Sequence, residues 1–171
     1  MQDSSEIRDI FVTGLKNAHA MENQALSIMK PQLSRIENYP DVAARLETHI
    51  RETEGQLERL GTILDSLGEN NSTLKDTALS LTGTLAALGH AIAGDEILKN
   101  SFANFAFENY EIAAYQSLIA IGARGGYSAT IEPLRKNLDE EIDMARWLDS
   151  NLEKLTLKFL ARRQANVTAK T

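Results

Sequence analysis

Residues 107–117 read FENYEIAAYQS, an apolar helical stretch carrying two glutamates, Glu108 and Glu111, one turn apart. At about 100° per residue, Phe105, Ile112, Tyr115 and Ile119 share a face, and Glu108 falls inside their arc. A carboxylate left bare in a core costs several kcal/mol, so it must be neutralised, hydrogen-bonded or bound to a metal. Any fold open to this chain has to bring that glutamate partners from elsewhere in the sequence.

The rest of the chain offers helices. Only three prolines and ten glycines punctuate 171 residues, and strand-like alternation is scarce. The first helix is predicted over 5–37, with Phe11, Leu15, Ala18, Leu26, Met29 and Leu33 as its apolar stripe and Glu22 in the middle of that stripe. Pro31 should bend or split it. Asn38-Tyr39-Pro40-Asp41 signals a turn into a second helix over 41–67. That helix carries the seam Leu46, Ile50, Thr53, Leu57, Leu60 and Leu64, flanked by His49, Glu52 and Gln56. Leu67-Gly68 stops it. Residues 73–92 read as a structured crossover with a short helix. A third helix is predicted over 95–123, with Asp95 as N-cap and Arg124-Gly125-Gly126 as its stop. A fourth opens at Ser128 or Thr130, tolerates Pro133 in its first turn, and carries Leu134, Leu138, Ala145, Leu148, Leu152 and Leu155 around Glu141. After about Phe159 the residues turn small and polar, so 1–160 forms one domain and 161–171 is expected to be a flexible tail.

Composition narrows function by exclusion. A formal net charge of −6 argues against a general nucleic-acid-binding role, which needs a basic surface. The absence of cysteine rules out disulfides and thiolate metal sites and fits a reducing compartment. The N-terminal residues lack the pattern of a signal peptide, and no stretch is long and apolar enough to span a membrane. The expectation is a cytoplasmic protein with neither membrane nor nucleic-acid partner. A homodimer is expected on base rates alone.

Four long helices with a structured crossover between the second and third match the ferritin-like bundle. In that architecture two helices each give one Glu, and the other two each give a Glu-x-x-His pair, to a di-metal site. Glu22, Glu108 and Glu141 each fall within the apolar arc of their own helix, although any one such glutamate alone is more often a surface residue. Glu52 stands away from the seam centre, and His49 lies closer to it. The Glu-x-x-His pairs are missing: Glu108 is followed by Glu111, Glu141 by Met144 and Glu52 by Gly55. His49 and His19, three residues before Glu52 and Glu22, give a reversed order, for which a hydrogen-bonded or surface histidine is the commoner reading. His90 has no nameable partner. Tyr39, Tyr110 and Tyr127 suit turn packing or helix surfaces, and Trp147 lies off the Glu141 face.

The segments HAMENQA, THIRETEGQ, FENYEIAAY and LDEEIDMARWL resemble the signature segments of the YciE/YciF-like ferritin-like family, closest to its YciE branch. The turn IENYPDV and the segment GDEILKNSFANFAFENYEIAAYQSL extend the resemblance to about residues 6–160. It implies a ferritin-like bundle with a carboxylate-rich metal site, in a family associated with stress responses. Glu22 matches the glutamate of the first motif; His49, Glu52, Thr53 and Gln56 match His-x-x-Glu-Thr-x-x-Gln. Glu108, Glu111 and Tyr115 match the third motif, and Glu140 with Glu141 the fourth. YciF-type members carry histidine where this chain has Glu54, so no role transfers there.

The expected function is a di-metal carboxylate centre, of iron or manganese, acting on peroxide or dioxygen. Glu22 and Glu108 would be terminal ligands, while Glu52 and Glu141 bridge or cap. His49 and Glu111 would complete or orient the set, and Tyr115 would neighbour the metal. The alternative is a non-enzymatic helical interaction or stress module with a structural or vestigial metal site, which the missing Glu-x-x-His pattern keeps open. Nothing indicates a cage-forming surface of the iron-storage kind.

Overall fold

The structure, a computed structural model, describes residues 2–69 and 94–171. These form four α-helices with no strand among them: α1 (Gln2–Arg35), α2 (Pro40–Ser66), α3 (Glu96–Arg124) and α4 (Ser128–Gln164). The crossover helix expected over 73–92, with His90, lies outside the described residues.

Helix α1 runs through Pro31 without splitting. Pro40 occupies the first turn of α2, where its missing N–H costs nothing. Helix α4 opens at Ser128, so Pro133 sits inside the helix and beyond its first turn. Three helices end alike. At α2, Glu69 N–H reaches the Leu64 carbonyl at 3.0 Å and Gly68 has φ +74. At α3, Tyr127 N–H reaches Gly122 at 2.9 Å with Gly126 at φ +79, and at α4 Val167 N–H reaches Arg162 at 3.1 Å with Asn166 at φ +53. Each is the left-handed cap that glycine, or asparagine less readily, accommodates.

The buried faces assemble a core from Phe11, Leu15, Met21, Leu46, Leu60, Leu64, Tyr115, Leu134 and Met144. Helix α1 packs on α2 and α3, and α4 packs on α2 and α3, closing a square. Glu22 meets Tyr115 and Arg35 meets Glu96, so α1 and α3 are antiparallel; Asp41 with Lys154 and Gln56 with Glu141 show the same for α2 and α4. Arg8 donates to the Leu67 carbonyl at 2.8 Å, which places the exit of α2 beside the start of α1, whereas α3 begins beside the end of α1. Exit and re-entry therefore lie at opposite ends of helices about 40 Å long. That is the ferritin-like order, with one long connection after the second helix.

Two further details differ from the sequence reading. On α2 the buried line takes Gln56, while Leu57 is only partly buried, because His49, Thr53, Gln56 and Leu60 share a tighter phase than the leucine seam. The flexible tail expected over 161–171 is instead anchored. Helix α4 continues to Gln164, and the residues after it fold back over the α1–α2 turn. Tyr39 donates to the Ala169 carbonyl at 2.6 Å, Ile97 N–H to the Lys170 carbonyl at 2.9 Å and Asn38 Nδ2 to the Thr171 carbonyl at 2.7 Å. Polar composition predicted fraying, but backbone carbonyls captured by Tyr39 and Asn38 leave no mark in composition. Tyr39→Phe is expected to cost about 1 kcal/mol by stranding a buried carbonyl, lowering Tm by about 2–4 °C in a scanning melt.

Candidate metal centre

Each helix delivers polar side chains to the middle of the bundle, and three of the four deliver carboxylates. Helix α1 gives Glu22 and α4 gives Glu141, both fully buried. Helix α3 gives Glu108 and Glu111, one turn apart on its buried line with Tyr115 and Leu118. That line runs closer to Glu111 than the arc of Phe105, Ile112 and Ile119 suggested, since those three are only partly buried. Helix α2 gives His49, Thr53 and Gln56, also buried.

His49, Glu108, Glu111 and Glu141 each bring one donor atom to within 4.8 Å of the others. His49 Nε2 lies 3.1 Å from Glu108 and 3.4 Å from Glu141. Glu22 stands beside this set, accepting a hydrogen bond from the Tyr115 hydroxyl at 2.6 Å. Glu52 is outside it. Its half-exposed carboxylate accepts from Arg45 at 2.9 Å and contacts His49 Nδ1 at 3.0 Å, on the side of the ring away from the cluster. His19 is elsewhere, with Nδ1 3.1 Å from the Asn23 amide on the surface. Glu54 is exposed and pairs with Lys30, so the position that is histidine in YciF-type members faces solvent.

Two flanking groups were not singled out from sequence. Asn137, fully buried, donates to Tyr115 at 2.9 Å, and Arg59 donates to Asn137 and pairs with Glu140. Asn137 had a legible signal: Leu134, Asn137, Glu141 and Ala145 are spaced by threes and fours, which puts it in phase with Glu141. Arg59 had none, because its role depends on what α4 presents to it.

Electrostatics follow from burial without enough cations. Burial, then Glu141, pushes Glu22 and Glu111 well above the usual carboxylate range. Burial also lifts Glu108 to about 8, against the pull of His49. For Glu141 burial is outweighed by hydrogen bonds from His49, Glu108 and Gln56, which hold it below its ordinary value. Burial disfavours the His49 cation, yet Glu108, Glu141 and Glu52 together keep it protonated well above its ordinary range. His49 holds Glu52 down to about 2, with help from Arg45. The core is thus neutralised by protons held on Glu22, Glu108 and Glu111.

Protons satisfy this set only in part. Glu22 Oε2 and both oxygens of Glu111 are buried without a hydrogen-bond partner, and Glu108 Oε2 and Glu141 Oε2 have only the His49 ring, 3.1 and 3.4 Å away. Glu96, also buried, is paired with two cations, Arg35 donating to Oε1 at 2.7 Å and Lys170 lying 3.2 Å from Oε2, whereas the cluster has the His49 ring alone among four carboxylates. The central oxygens, converging with one imidazole nitrogen and no thiolate, fit one or two hard or borderline cations.

This topology, with carboxylates from three helices and an imidazole from the fourth turned toward its middle, is a ferritin-like bundle with a carboxylate-rich interior. The chain belongs to the family described as "Domain of unknown function (DUF892)", which it matches over residues 6–161. Protein YciF of Escherichia coli K12 is 27% identical over 143 residues, covering 79% of this chain and 83% of YciF. The crystal structure of a protein from Xanthomonas campestris pv. campestris superposes with a TM-score of 0.78 at 30% identity, over 92% of this chain and 99% of that one. The crystal structure of YciF, described as an E. coli stress protein, gives a TM-score of 0.68 at 22% identity, over 85% of this chain and 94% of YciF. Among the described residues, no helix is long and apolar enough to cross a membrane.

Proposed function

We propose that the protein holds a di-metal centre of iron or manganese in the bundle core and acts as a stress-associated, YciF-like protein toward peroxide or dioxygen. One observation carries the reading: the core gathers four buried carboxylates from three helices around the His49 ring of the fourth, and leaves Glu22 Oε2 and both oxygens of Glu111 without a donor. Glu22, Glu108, Glu111 and Glu141 would hold the metals, with His49 contributing Nε2. Glu52, which sequence alone placed among the ligands, orients His49 through Nδ1 instead, as carboxylates behind metal-bound imidazoles commonly do. When bound, a redox-active metal pair supplies electron transfer to or from a small oxidant. The chain's own part is to exclude water with Phe107, Met21 and Met144 and to hold the Tyr115 hydroxyl as a donor to Glu22.

Cytoplasmic residence, homodimer assembly and a place on the YciE branch belong to the same proposal. They rest on the cysteine-free composition, on the frequency of cyclic dimers and on the motif resemblance.

The test is metal content by plasma mass spectrometry on protein made in iron- and manganese-supplemented medium, with Glu108→Ala alongside. About two equivalents are expected in the wild type, the complement of a ferritin-like di-metal site, and they should be lost in the variant. Folded wild type without metal would favour the helical interaction module, in which shared protons and the His49 cation satisfy the core.

A further inference from the structure

The hydrogen bonds around Tyr115 run in one direction, and a residue outside the carboxylate cluster sets it. Arg59 has only donors to offer. Its Nε donates to Asn137 Oδ1 and its Nη2 to Glu140 Oε2. The opposite orientation of the Asn137 amide would set N–H against N–H, so Asn137 must turn Nδ2 to the Tyr115 oxygen, 2.9 Å away. Tyr115, accepting that bond, has its single proton left for Glu22 Oε1 at 2.6 Å. Glu22 is left with Oε2 as its one unpartnered oxygen.

A second branch starts from the same guanidinium. Glu140 Oε2, paired with Arg59, accepts from Gln56 Nε2 at 3.2 Å, and the same amide nitrogen donates to Glu141 Oε1. Glu141 Oε2 is thereby left toward the core, with His49 Nε2 3.4 Å away. Local sequence makes room for this arrangement. A Cβ at Gly55 would come within 3.3 Å of Arg59 Nη1, which gives a reason for glycine in a helix interior that it would otherwise weaken. Gly55 stands three residues after Glu52, where a Glu-x-x-His pair would put imidazole, and the Arg59 guanidinium lies over it instead.

We infer that Arg59 is a positioning residue for the metal centre: through Asn137–Tyr115 and Glu140–Gln56 it fixes which oxygen of Glu22 and of Glu141 is presented to the core. The inference rests on the metal-centre reading and deepens it by naming what orients two of the ligands.

Full-length wild type, Arg59→Met and Asn137→Asp are compared in two measurements, with circular dichroism to establish folding. Manganese(II) affinity is read by competition with a chromogenic chelator. Ultraviolet resonance Raman, as the difference from the matching Tyr115→Phe protein, reads whether the Tyr115 hydroxyl donates, accepts or does both. Both variants are expected to lose about tenfold or more in affinity, the usual effect of removing an outer partner of a ligand. Asn137→Asp should also change Tyr115 from donor and acceptor to donor only, because aspartate has no N–H to give it. Affinity within about twofold of wild type in both variants overturns the inference, since outer partners of ligands normally cost more. Asn137→Asp is isosteric and keeps Arg59 paired, so it carries the test if Arg59→Met does not fold. If wild type takes up no manganese, the metal-centre reading fails and the Raman arm decides: an unchanged Tyr115 signature in Arg59→Met overturns Arg59's control of Glu22, and a changed one upholds it.

Discussion

Metal-free protein carrying Glu111→Met is expected to melt above metal-free wild type and to bind metal no longer. Glu111 is buried, and neither of its oxygens meets a hydrogen-bond donor. Burial, then Glu141, Glu22 and Glu108, pushes it well above the ordinary carboxylate value of 4.5. At neutral pH the unfolded chain carries this group ionised in water, so folding must either bury the charge or take up a proton. Methionine is of similar length, carries no charge and adapts to irregular surroundings. Replacing buried ionisable groups by apolar residues of similar volume is often stabilising, by about 1–4 kcal/mol. In a chain of this size each kcal/mol moves Tm by about 2–4 °C. The same change at Glu108 would bring less relief, because Glu108 faces the His49 cation 3.1 Å away and its loss leaves that charge less compensated. Calorimetry on chelator-treated protein checks the expectation. A Tm below wild type would mean that the metal-free core satisfies Glu111 in place, and the case for cations would weaken with it.

Helix phase made much of this core legible before any coordinates. Glu22, Glu108 and Glu141 were placed on buried faces because each interrupts an apolar stripe at a helical spacing, and all three are buried. The same phase set His49 closer to the seam than Glu52, and the structure keeps that order, His49 buried and Glu52 half-exposed. Helix boundaries were readable from Pro40, Gly68 and Gly126, whose backbone preferences act locally. What periodicity could not supply was anything decided between helices. Arg59 looks like any polar residue of α2 until Asn137 and Glu140 of α4 are set against it. Gln56 displaced Leu57 from the buried line because its amide is needed by Glu141, a requirement that a hydrophobicity pattern does not register. The anchored C-terminal residues escaped for the same reason, since their partners are backbone carbonyls met by side chains more than a hundred positions away.

The metal-free protein is expected to be most stable near pH 5 and to lose stability steadily toward pH 8, whereas metal should remove or reverse that slope. Glu108 holds its proton in the folded state up to about pH 8, and Glu22 and Glu111 hold theirs well above 4.5. Between those limits the unfolded chain has already released the protons that the folded chain retains, so stability falls as pH rises. His49 adds the same sign above pH 6.5: its stabilising charge is fully present below that value and is lost as pH climbs through its raised folded value. Glu52, held down to about 2, acts on the other limb, stabilising above its ordinary value of 4.5 and losing that contribution as pH falls. One unit of displacement corresponds to about 1.4 kcal/mol, so the alkaline decline should be on the order of a few kcal/mol. Cations compete with protons for the same oxygens, and their binding strengthens as the carboxylates ionise. The rise in Tm produced by manganese(II) should therefore widen from pH 5 to pH 8. Melting curves with chelator and with excess metal at four or five pH values would read this directly. Two parallel lines across that range would mean that metal, if it binds at all, does so without displacing the protons of Glu22, Glu108 and Glu111.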